Sequence, residues 1–460
     1  MYRSRRIHLI GIGGVGMSGI AEVLLTLGYE VSGSDLKDSP VLDRLRNLGG
    51  RIAIGHGAEN LGDAEVVVVS SAVPRSNPEW AEAERRGIPA VPRAEMLGEL
   101  MRTKYAVAVS GAHGKTTTTS MIAAVLTEGG LDPTVVVGGR IRAAQSGARL
   151  GAGPYMVAEA DESDGSFLKL LPTITVITNL DREHMDHFGS MDALREAFAA
   201  FIDRVPFYGA AVLCIDDPEV RALAAGASRR VRTYGTAPDA EFRAVEIAAA
   251  GLETSYVAVH DGARLGQVHL SMPGRHNVLN SLAALAVGVE FELPFGAIRD
   301  GLAGFGGVAR RFEIRGEHGG VILVDDYGHH PTEIEAVLAA GRSTWPDRRL
   351  VAVFQPHRFT RTRDLLARFA VAFAGAGQVI VVPIYPAGEK PIPGVTSAGL
   401  AAAVEEGSRV PVTVAQDLAA ASQILSREVR AGDVILTLGA GDVWRVGETW
   451  LAGANHPAEV

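Results

Sequence analysis

The 460-residue sequence lacks several features that would mark particular classes of protein. Its single cysteine, Cys214, has no partner for an internal disulfide, and its apolar neighbours favour a small core residue over a nucleophile. The sequence contains neither a secretory apolar segment nor a run of about 20 apolar residues, the length that a membrane-spanning helix needs. We therefore expect a cytoplasmic protein with no membrane partner.

Positive charge is also scarce. The 44 lysines and arginines are outnumbered by 53 aspartates and glutamates, which gives a net charge of −9. Binding of nucleic acid by counterion release needs a basic surface, so nucleic acid is not an expected partner. The composition, 47% hydrophobic and 21% charged, is that of an ordinary globular protein. At roughly 100–200 residues per domain, we expect three domains.

Short apolar runs rich in β-branched residues alternate with helical stretches along most of the chain. Examples are residues 7–10, 66–69, 174–178 and 434–437. This alternation predicts an α/β fold built on parallel sheets. Polar, glycine-rich segments near residues 103–104 and 304–307 predict domain boundaries, so the predicted domains are residues 1–104, 105–309 and 310–460.

A glycine-rich loop begins at residue 110, after a predicted strand and before a predicted helix. Its members are Gly111, Ala112, His113, Gly114, Lys115, Thr116 and Thr117. In such a loop, backbone N–H groups and the helix N-terminus bind phosphate oxygens, the lysine neutralises the outer phosphates, and a threonine hydroxyl can bind Mg²⁺. A structural turn would explain the glycines but not Lys115 and Thr116 at a helix start. The loop therefore predicts binding of ATP or GTP.

A second glycine motif, G-x-G-x-x-G, lies between the first predicted strand and the first predicted helix. The predicted substrate-binding residues here are Gly11, Gly13, Gly14, Val15, Gly16, Met17 and Asp35. Asp35 follows the second strand, in the place of a ribose-binding acid, and by itself the motif would indicate NAD. A complete phosphate-loop domain follows without the second half of a dinucleotide fold. A nucleotide sugar is therefore favoured over a dinucleotide and over close helix packing alone.

Acidic and histidine side chains follow two further strands of the predicted phosphate-loop domain. Glu159 ends one strand, and carboxylate oxygens suit Mg²⁺, although a solvated acidic turn is the plain alternative. His184 follows the next strand. A zinc site with His187 would need further ligands, so we favour a second Mg²⁺ or Mn²⁺ site through His184 and a surface position for His187. The predicted metal ligands are Thr116, Glu159 and His184.

Two other groups of polar residues begin helices in the second half of the chain. Asn277 and Asn280, after His276, share one helix face and could bond a purine or a ribose, whereas helix capping would explain Asn277 alone. Arg358 and Arg361 could share a helix face and bind a carboxylate bidentately, whereas a solvated face would more often include acids. The arginines predict an acceptor that carries a carboxylate.

Together these motifs resemble the Mur ligases over essentially the whole chain. The matching segments are residues 11–22, 114–119, 159–164, 310–313, 325–333, 355–363 and 388–394. Their order, with the nucleotide-sugar segment first, the ATPase second and the amino-acid segment third, makes the resemblance specific. The sequence departs from the family pattern at Ala112, where threonine is common, and at Glu183, where aspartate is common.

The resemblance implies a fold and a reaction. The fold would comprise an N-terminal Rossmann-like domain, a central P-loop ATPase domain with a mostly parallel sheet, and a C-terminal Rossmann-like α/β domain. The reaction would transfer the γ-phosphate of ATP to the lactyl carboxylate of UDP-N-acetylmuramate. The amine of L-alanine would then attack the acyl phosphate, giving an amide, ADP and phosphate, as the first peptide step of peptidoglycan precursor synthesis.

The resemblance also implies roles for individual residues. The catalytic set would be Lys115, His184, Arg310, Arg311, His329, Arg358 and Arg361. The adenosine contacts would come from His276, Asn277, Asn280 and Asp325, and the alanine contacts from Tyr327, His329, Arg358 and Arg361. Lys115 would stabilise the transferring phosphoryl group, Thr116 and Glu159 would hold one Mg²⁺, and His184 a second. Arg310 or Arg311 would approach the phosphates on domain closure.

Two other functions fit parts of the sequence. A recycling ligase of the same family would join a preformed peptide to the same sugar nucleotide, and a nucleotide-gated regulatory protein would bind ATP without a carboxylate substrate. Residues 14–19 and 355–358 favour the alanine-joining enzyme. A monomer and a homodimer are both compatible with the sequence.

Overall fold

The computed structural model describes residues 5–70, 72–141 and 146–454 of the chain. These residues form two compact units. The first comprises the residues up to Ile247 together with Ser255–His269 and Val278–Gly306, and the second comprises Ala248–Thr254, Leu270–Asn277 and the residues from Gly307 onward. No helix within the described ranges combines the length and the apolar character that crossing a membrane requires.

The first unit contains a five-stranded parallel sheet. Its strands are β1 Arg6–Ile10, β2 Glu30–Asp35, β3 Arg51–Ile54, β4 Val66–Val69 and β5 Ala90–Pro92, and its helices are α1 Val15–Thr26, α2 Pro40–Asn47, α3 Pro78–Arg86 and α4 Arg93–Met101. The strand order is β3-β2-β1-β4-β5. The order reverses between β1 and β4, so the loop that leaves β1 lies at the usual ligand position of an open α/β sheet.

A second sheet has ten strands. They are β6 Tyr105–Ser110, β7 Thr134–Ile141, β8 Ser146–Arg149, β9 Tyr155–Glu159, β10 Ile174–Ile177, β11 Ala210–Cys214, β12 Val231–Gly235, β13 Phe242–Ala250, β14 Glu253–His260 and β15 Ala263–Leu270. The helices in this part of the chain are α5 Lys115–Glu128, α6 Met185–Phe188, α7 Met191–Ile202, α8 Pro218–Gly226, α9 Arg275–Glu290 and α10 Phe295–Ala303. The strand order is β15-β14-β13-β12-β11-β10-β6-β9-β7-β8. Strand β6 pairs in parallel with both β9 and β10.

The second unit contains a six-stranded sheet. Its strands are β16 Glu313–His318, β17 Val321–Asp326, β18 Leu350–Phe354, β19 Gln378–Val381, β20 Val412–Val414 and β21 Val434–Leu438, and its helices are α11 Pro331–Thr344, α12 Phe359–Asp364, α13 Leu366–Ala372, α14 Ser397–Ser408, α15 Leu418–Glu428 and α16 Trp444–Ala454. The order is β16-β17-β21-β18-β19-β20. Only β16 pairs antiparallel among the described strands of this sheet.

The predicted elements and core positions are confirmed where the local pattern is strong. Strands β1, β4, β10 and β21 contain the predicted apolar runs. Helix α11 begins at Pro331, and His330 and Glu333 form a capping box at its start. Proline suits the first helical position because the N–H that it lacks would have no acceptor within the helix there. Cys214 is buried in β11, and burial raises the pKa of its thiol to about 12, which suits a core residue.

A buried carboxylate joins β1, β2 and α3. Glu79 is fully buried, and its Oε2 accepts a hydrogen bond from Oγ of Ser34 at 2.6 Å and lies 3.2 Å from Nε2 of His8. Its Oε1 accepts from Nδ2 of Asn60 at 2.6 Å and from the amide of Gly57 at 3.2 Å. Burial alone would raise the pKa of Glu79, but the hydrogen bonds outweigh burial and lower the pKa to about 2. The carboxylate is therefore ionised at neutral pH.

We expect Glu79→Ala to lower the local free energy of unfolding by about 3 kcal/mol, because buried polar groups lose their partner. Native-state hydrogen exchange of the β1 amides measures the loss within this unit. The control is Glu82→Ala in the same helix, whose carboxylate pairs with exposed Arg85, and this change should cost less than about 1 kcal/mol. Equal losses in the two variants would contradict a structural role for the Glu79 cluster.

The same stabilisation should depend on pH in one direction. The folded-state pKa of Glu79 lies below its ordinary value of 4.5. Its contribution is therefore complete above about pH 5 and is lost as the pH falls toward 2. The stability difference between the wild type and Glu79→Ala should shrink over that range, and a difference that grows on acidification would show that the carboxylate is not held ionised.

Candidate active site

The predicted phosphate loop connects β6 to α5. Gly111 and Gly114 have φ values of 130° and 82°, in the region that favours glycine. A Cβ at Gly111 would overlap Oγ1 of Thr178, and one at Gly114 would lie 2.7 Å from Oδ1 of Asn280. Because Gly114 has no side chain to cap α5, the amides of Lys115–Thr117, before the first intrahelical bond at Thr118, receive no side-chain cap from Gly114. Such amides suit a phosphate oxygen.

Two other amides of the loop have protein partners. The N–H of Ala112 donates to the backbone oxygen of Asn179 at 3.0 Å, and the N–H of His113 donates to Oδ1 of Asn179 at 2.8 Å. Nε2 of His113 lies 3.2 Å from Oδ2 of Asp181. These contacts fix the loop against the segment that follows β10, and nucleotide binding by Ala112 and His113 stays a prediction.

Lys115 lies across the loop. Its ammonium donates to the backbone oxygens of Gly111 and Ala112 at 2.6 and 3.1 Å, and to Oε1 of Glu162 at 2.9 Å. Burial alone would lower the pKa of Lys115, but the carboxylates of Glu162, Glu159 and nearby Asp161 raise it above its ordinary value. The lysine is therefore a fixed positive charge at the loop.

Carboxylates surround this charge. Oγ1 of Thr116 donates to Oε2 of Glu159 at 2.9 Å. One ligand atom each of Glu162, Glu183 and His184 lies within 4.8 Å of the others. Burial raises the pKa of Glu162 to about 7, against the opposing charge of Lys115, and its buried Oε2 accepts no hydrogen bond from any residue that the structure describes.

These donors fit a hard divalent cation. A hydroxyl, carboxylates and one imidazole match the preferences of Mg²⁺ and Mn²⁺, and a buried carboxylate oxygen without a hydrogen bond is a fitting ligand. Sequence reasoning selected Thr116, Glu159 and His184 but missed Glu162 and Glu183. The acidic runs that contain both residues were visible in the sequence, yet only folding shows which acid faces Lys115.

The first glycine motif is held by Asp35. The N–H of Gly13 donates to Oδ2 of Asp35 at 2.8 Å, and the N–H of Leu36 donates to Oδ1 at 2.8 Å. A Cβ at Gly13 would lie 2.9 Å from the same carboxylate, so glycine is needed there, while Gly11 has a φ of 76°. The structure thus gives Asp35 a positioning role in the turn, and its contact with a ribose stays a prediction.

The remaining members of this motif differ in their surroundings. Gly14 precedes α1 and offers no side-chain cap, and Gly16 lies in the first turn of that helix. Met17 is 2% exposed and belongs to the core of the unit. The side chain of Val15 lies outside the described part of the structure.

In the second unit, Arg310 and Asp325 form an ion pair. Nε of Arg310 donates to Oδ2 of Asp325 at 2.8 Å, and its terminal nitrogens donate to the backbone oxygens of Gly441 and Gly439 at 3.1 and 2.7 Å. Oδ1 of Asp325 accepts from Oγ1 of Thr437 at 2.7 Å. This arrangement explains both residues structurally, and their predicted contacts with ATP stay untested.

Arg311 has different surroundings. One of its terminal nitrogens lies 3.4 Å from Oε1 of Glu333, and its guanidinium lies 5.3 Å from the ring centre of Tyr327. Tyr327 is 37% exposed and also lies 5.2 Å from the guanidinium of Arg310. The two adjacent arginines, which the sequence could not distinguish, therefore contact different acids: Asp325 for Arg310 and Glu333 for Arg311.

The two asparagines that were predicted to bond a purine or a ribose make different contacts, and their ligand contacts stay predictions. Nδ2 of Asn277 donates to the backbone oxygen of Pro273 at 2.8 Å, a local contact at the start of α9. Asn280 instead accepts from Oγ1 of Thr118 at 3.1 Å, close to Gly114. Burial, helped by the charge of Arg311, lowers the pKa of His276 to about 4, so this imidazole is neutral.

Aromatic rings and arginines form a cluster near the carboxyl end of β18. His357 stacks on Tyr385 with ring centres 5.5 Å apart, and His329 lies 5.5 Å from His357. A terminal nitrogen of Arg361 lies 3.3 Å from Nδ1 of His357. Burial and the neighbouring charges lower the pKa of His357 to about 3. Sequence reasoning missed Tyr385, because only a long-range bridge brings it to His357.

The structure places Arg358 just before the helix, not within it. It precedes α12 with a φ of 71°, so it lies outside the helix face that was predicted to hold it with Arg361. Its N–H donates to the backbone oxygen of Tyr385 at 2.8 Å. Its partly buried guanidinium forms no hydrogen bond and no ion pair with the residues for which the structure gives a placement.

Left-handed backbone recurs at predicted site residues that are not glycine. His184, Arg310 and Arg358 have φ values of 56°, 58° and 71°. Such conformations cost of order 1–3 kcal/mol each and concentrate at functional sites, where the surrounding structure enforces them. The strain supports a functional rather than a purely structural origin for these segments.

Family sequence profiles match three consecutive parts of the chain. Residues 6–105 match the catalytic domain of the Mur ligase family, residues 109–288 match the Mur ligase middle domain, and residues 310–441 match the Mur ligase glutamate ligase domain. The three matches follow the order of the three sheets.

Individual relatives extend over nearly the whole chain. The UDP-N-acetylmuramate–L-alanine ligase of Geobacter sulfurreducens is 54% identical over 448 residues, covering 97% of each chain. The solved UDP-N-acetylmuramate–alanine ligase of Thermotoga maritima is 28% identical, with a TM-score of 0.81 and coverage of 98% of this chain and 99% of that chain. A murein peptide ligase from Psychrobacter arcticus shares the fold, with a TM-score of 0.70 at 23% identity over 99% of this chain and 100% of that chain.

These findings confirm the α/β fold class and the resemblance that the motifs predicted. They match the chain from its first sheet to its third, with 54% identity over 448 residues to the Geobacter sulfurreducens relative. The chain belongs to the Mur ligase family.

Proposed function

We propose that this protein joins L-alanine to the lactyl carboxylate of UDP-N-acetylmuramate at the expense of ATP. The observation that carries the proposal is the position of Lys115, held by Glu162 across a phosphate loop whose Thr116 contacts Glu159. The name and 54% identity of the Geobacter sulfurreducens relative support the same reaction. ATP dependence is a property of the family, and the choice of metal is part of the proposal.

The first half of the reaction activates a carboxylate. A carboxylate resists attack by an amine because it is negatively charged and lacks a good leaving group, and phosphorylation removes both obstacles. The α5 amides and Lys115 would bind the phosphates and offset the charge of the transferring group. Bound Mg²⁺ or Mn²⁺, held by Thr116 and Glu159 and by His184 with its neighbouring acids, would neutralise further phosphate charge.

The second half forms the amide. The guanidinium of Arg358, which forms no ion pair with the described residues, would bind the carboxylate of L-alanine together with Arg361. His329 and Tyr327 would border the amino acid. The amine then displaces phosphate from the acyl carbon, and the new C–N bond replaces the C–O bond to phosphate. Arg310 or Arg311 would contact the phosphates, and Asp325 and two backbone oxygens fix the position of Arg310.

Phosphate release from ATP tests the reaction directly. With Mg²⁺ present, release should require both UDP-N-acetylmuramate and L-alanine. Release with a preformed peptide but not with L-alanine would instead indicate the recycling ligase. Release that ignores both substrates would indicate a regulatory ATPase.

Lys115→Ala should reduce turnover on the order of 10²-fold or more, because a preorganised charge at the transferring phosphoryl group is lost. Steady-state phosphate release measures the effect. The matched control is Lys169→Ala, a lysine that is 44% exposed and pairs only loosely with Glu95, and its turnover should be unchanged. Near-normal turnover of Lys115→Ala would remove the phosphate-loop assignment.

Arg358→Ala should raise the KM for L-alanine by roughly 10- to 100-fold, since a charge-assisted bond to its carboxylate is lost. The KM for ATP should stay within about twofold. Arg363→Ala in α12 is the control, because that side chain is exposed and pairs with its neighbour Asp364. A raised KM for ATP with an unchanged KM for alanine would show that Arg358 binds phosphate instead.

A further inference from the structure

A cleft lies next to the first glycine motif in the first unit. Gly16 of α1 and Arg93 of α4 line it, together with Glu159, the last residue of β9, and Asp161 just after it. Apolar side chains such as Leu97 and Phe167 complete the lining. The cleft therefore connects the predicted nucleotide-sugar motif with the acids of the predicted phosphate loop, and none of the functions assigned above uses Arg93.

Arg93 packs against Gly16. A Cβ at Gly16 would overlap a terminal nitrogen of the Arg93 guanidinium and would lie 3.2 Å from its Cζ. Glycine inside a helix costs about 1 kcal/mol relative to alanine, so its presence in the first turn of α1 needs a reason. The close approach of the guanidinium supplies that reason.

The position of the Arg93 charge is electrostatically unfavourable. It is the first residue of α4, where the positive end of the helix dipole disfavours a cation. The guanidinium is partly buried and forms no hydrogen bond or ion pair within residues 5–70, 72–141 and 146–454. The acidic residue of that first turn, Glu95, pairs instead with Lys169.

The acids across the cleft have other partners. Glu159 accepts from Thr116, and Asp161 accepts from the amide of Ser163 at 3.0 Å. The first turn of α1 contains no acidic residue, and its preceding Gly14 provides no side-chain cap. Two helix N-termini and one guanidinium thus meet at this end of the cleft. Asp161 is close enough to interact electrostatically with Arg93, but no carboxylate among the described residues forms an ion pair with it.

We propose that Arg93 binds the diphosphate of the nucleotide sugar, as a substrate-positioning residue that Gly16 admits to the glycine motif. The inference rests on the proposed function. A guanidinium can donate two parallel hydrogen bonds to phosphate oxygens, which suits a diphosphate beside the α1 amides. The lactyl carboxylate is a less suitable partner, since it must lie near the phosphate loop and Arg93 lies against Gly16.

Calorimetric titration of the full chain with UDP and with UDP-N-acetylmuramate tests this assignment. Arg93→Met should weaken both ligands by roughly 10- to 100-fold, because both contain the diphosphate. Arg93→Lys, which keeps the charge but loses the paired donors, should weaken them less. Arg102→Met is the control at the end of the same helix, where the arginine is exposed and pairs with Glu99, and it should bind like the wild type.

Gly16→Ala provides a second route to the same result. The added methyl group displaces only the end of a flexible side chain, so the fold should survive and the affinity for UDP should fall as in Arg93→Met. In the double variant the two losses should not add, because both remove the same contact. Additive losses would show that Gly16 acts without Arg93.

The other outcomes distinguish failure of this assignment from failure of the proposed function. Unchanged affinity for UDP with weaker UDP-N-acetylmuramate would place Arg93 on the sugar or its carboxylate. Unchanged affinity for both with a lower melting temperature would make Arg93 structural. A wild type that binds UDP through Arg93 but releases no phosphate with L-alanine would uphold this inference and refute the proposed function, whereas a wild type that does not bind UDP would refute the inference itself.

Discussion

The parallel register of β9, β6 and β10 is the constraint on which the phosphate site depends. Val109 pairs with Glu159, and Ser110 pairs with Ile177, so three strands end at one edge of the sheet. The loop after β6, the acids after β9 and Asn179 after β10 must therefore meet there. A slip of one residue in the β6–β9 pairing would turn Glu159 to the opposite face and separate it from Thr116.

Charge balance within this edge follows from burial. A buried ammonium needs a compensating anion, and Glu162 supplies it to Lys115 while the backbone oxygens of the loop take the remaining donors. In the proposed reaction, phosphate oxygens compete with Glu162 for the same ammonium. The carboxylate would then be released toward a cation, so one acid can serve both the empty and the nucleotide-bound states.

Much of this architecture could be predicted from the sequence, because strand runs, glycine turns and the Pro331 helix start are local patterns. The long-range partnerships could not. The Arg310–Asp325 pair spans 15 residues and the His357–Tyr385 stack spans 28, and no local pattern selects them. The backbone of Arg358 was also unpredictable, since a left-handed arginine violates the preference on which helix-face reasoning depends. Asn277, which was selected by its spacing from Asn280, also has a local partner in the backbone oxygen of Pro273, and its contact with a ligand stays a prediction.

The partly buried arginines fall into two groups: those paired with groups of their own unit and those proposed to bind ligands. Arg349 and Arg310 each bind a carboxylate and backbone oxygens of their own unit, so their desolvation is offset within the fold. Arg93 and Arg358 are also partly buried, and neither forms an ion pair with an acid in the described structure; only Asp161 interacts electrostatically with Arg93. Holding a desolvated guanidinium without an anion is unfavourable, and a strained backbone at Arg358 and a helix dipole at Arg93 add to the cost. An anionic ligand is the simplest compensation, and the two positions match the anions at the two ends of the proposed reaction: the diphosphate of the sugar nucleotide and the carboxylate of the amino acid.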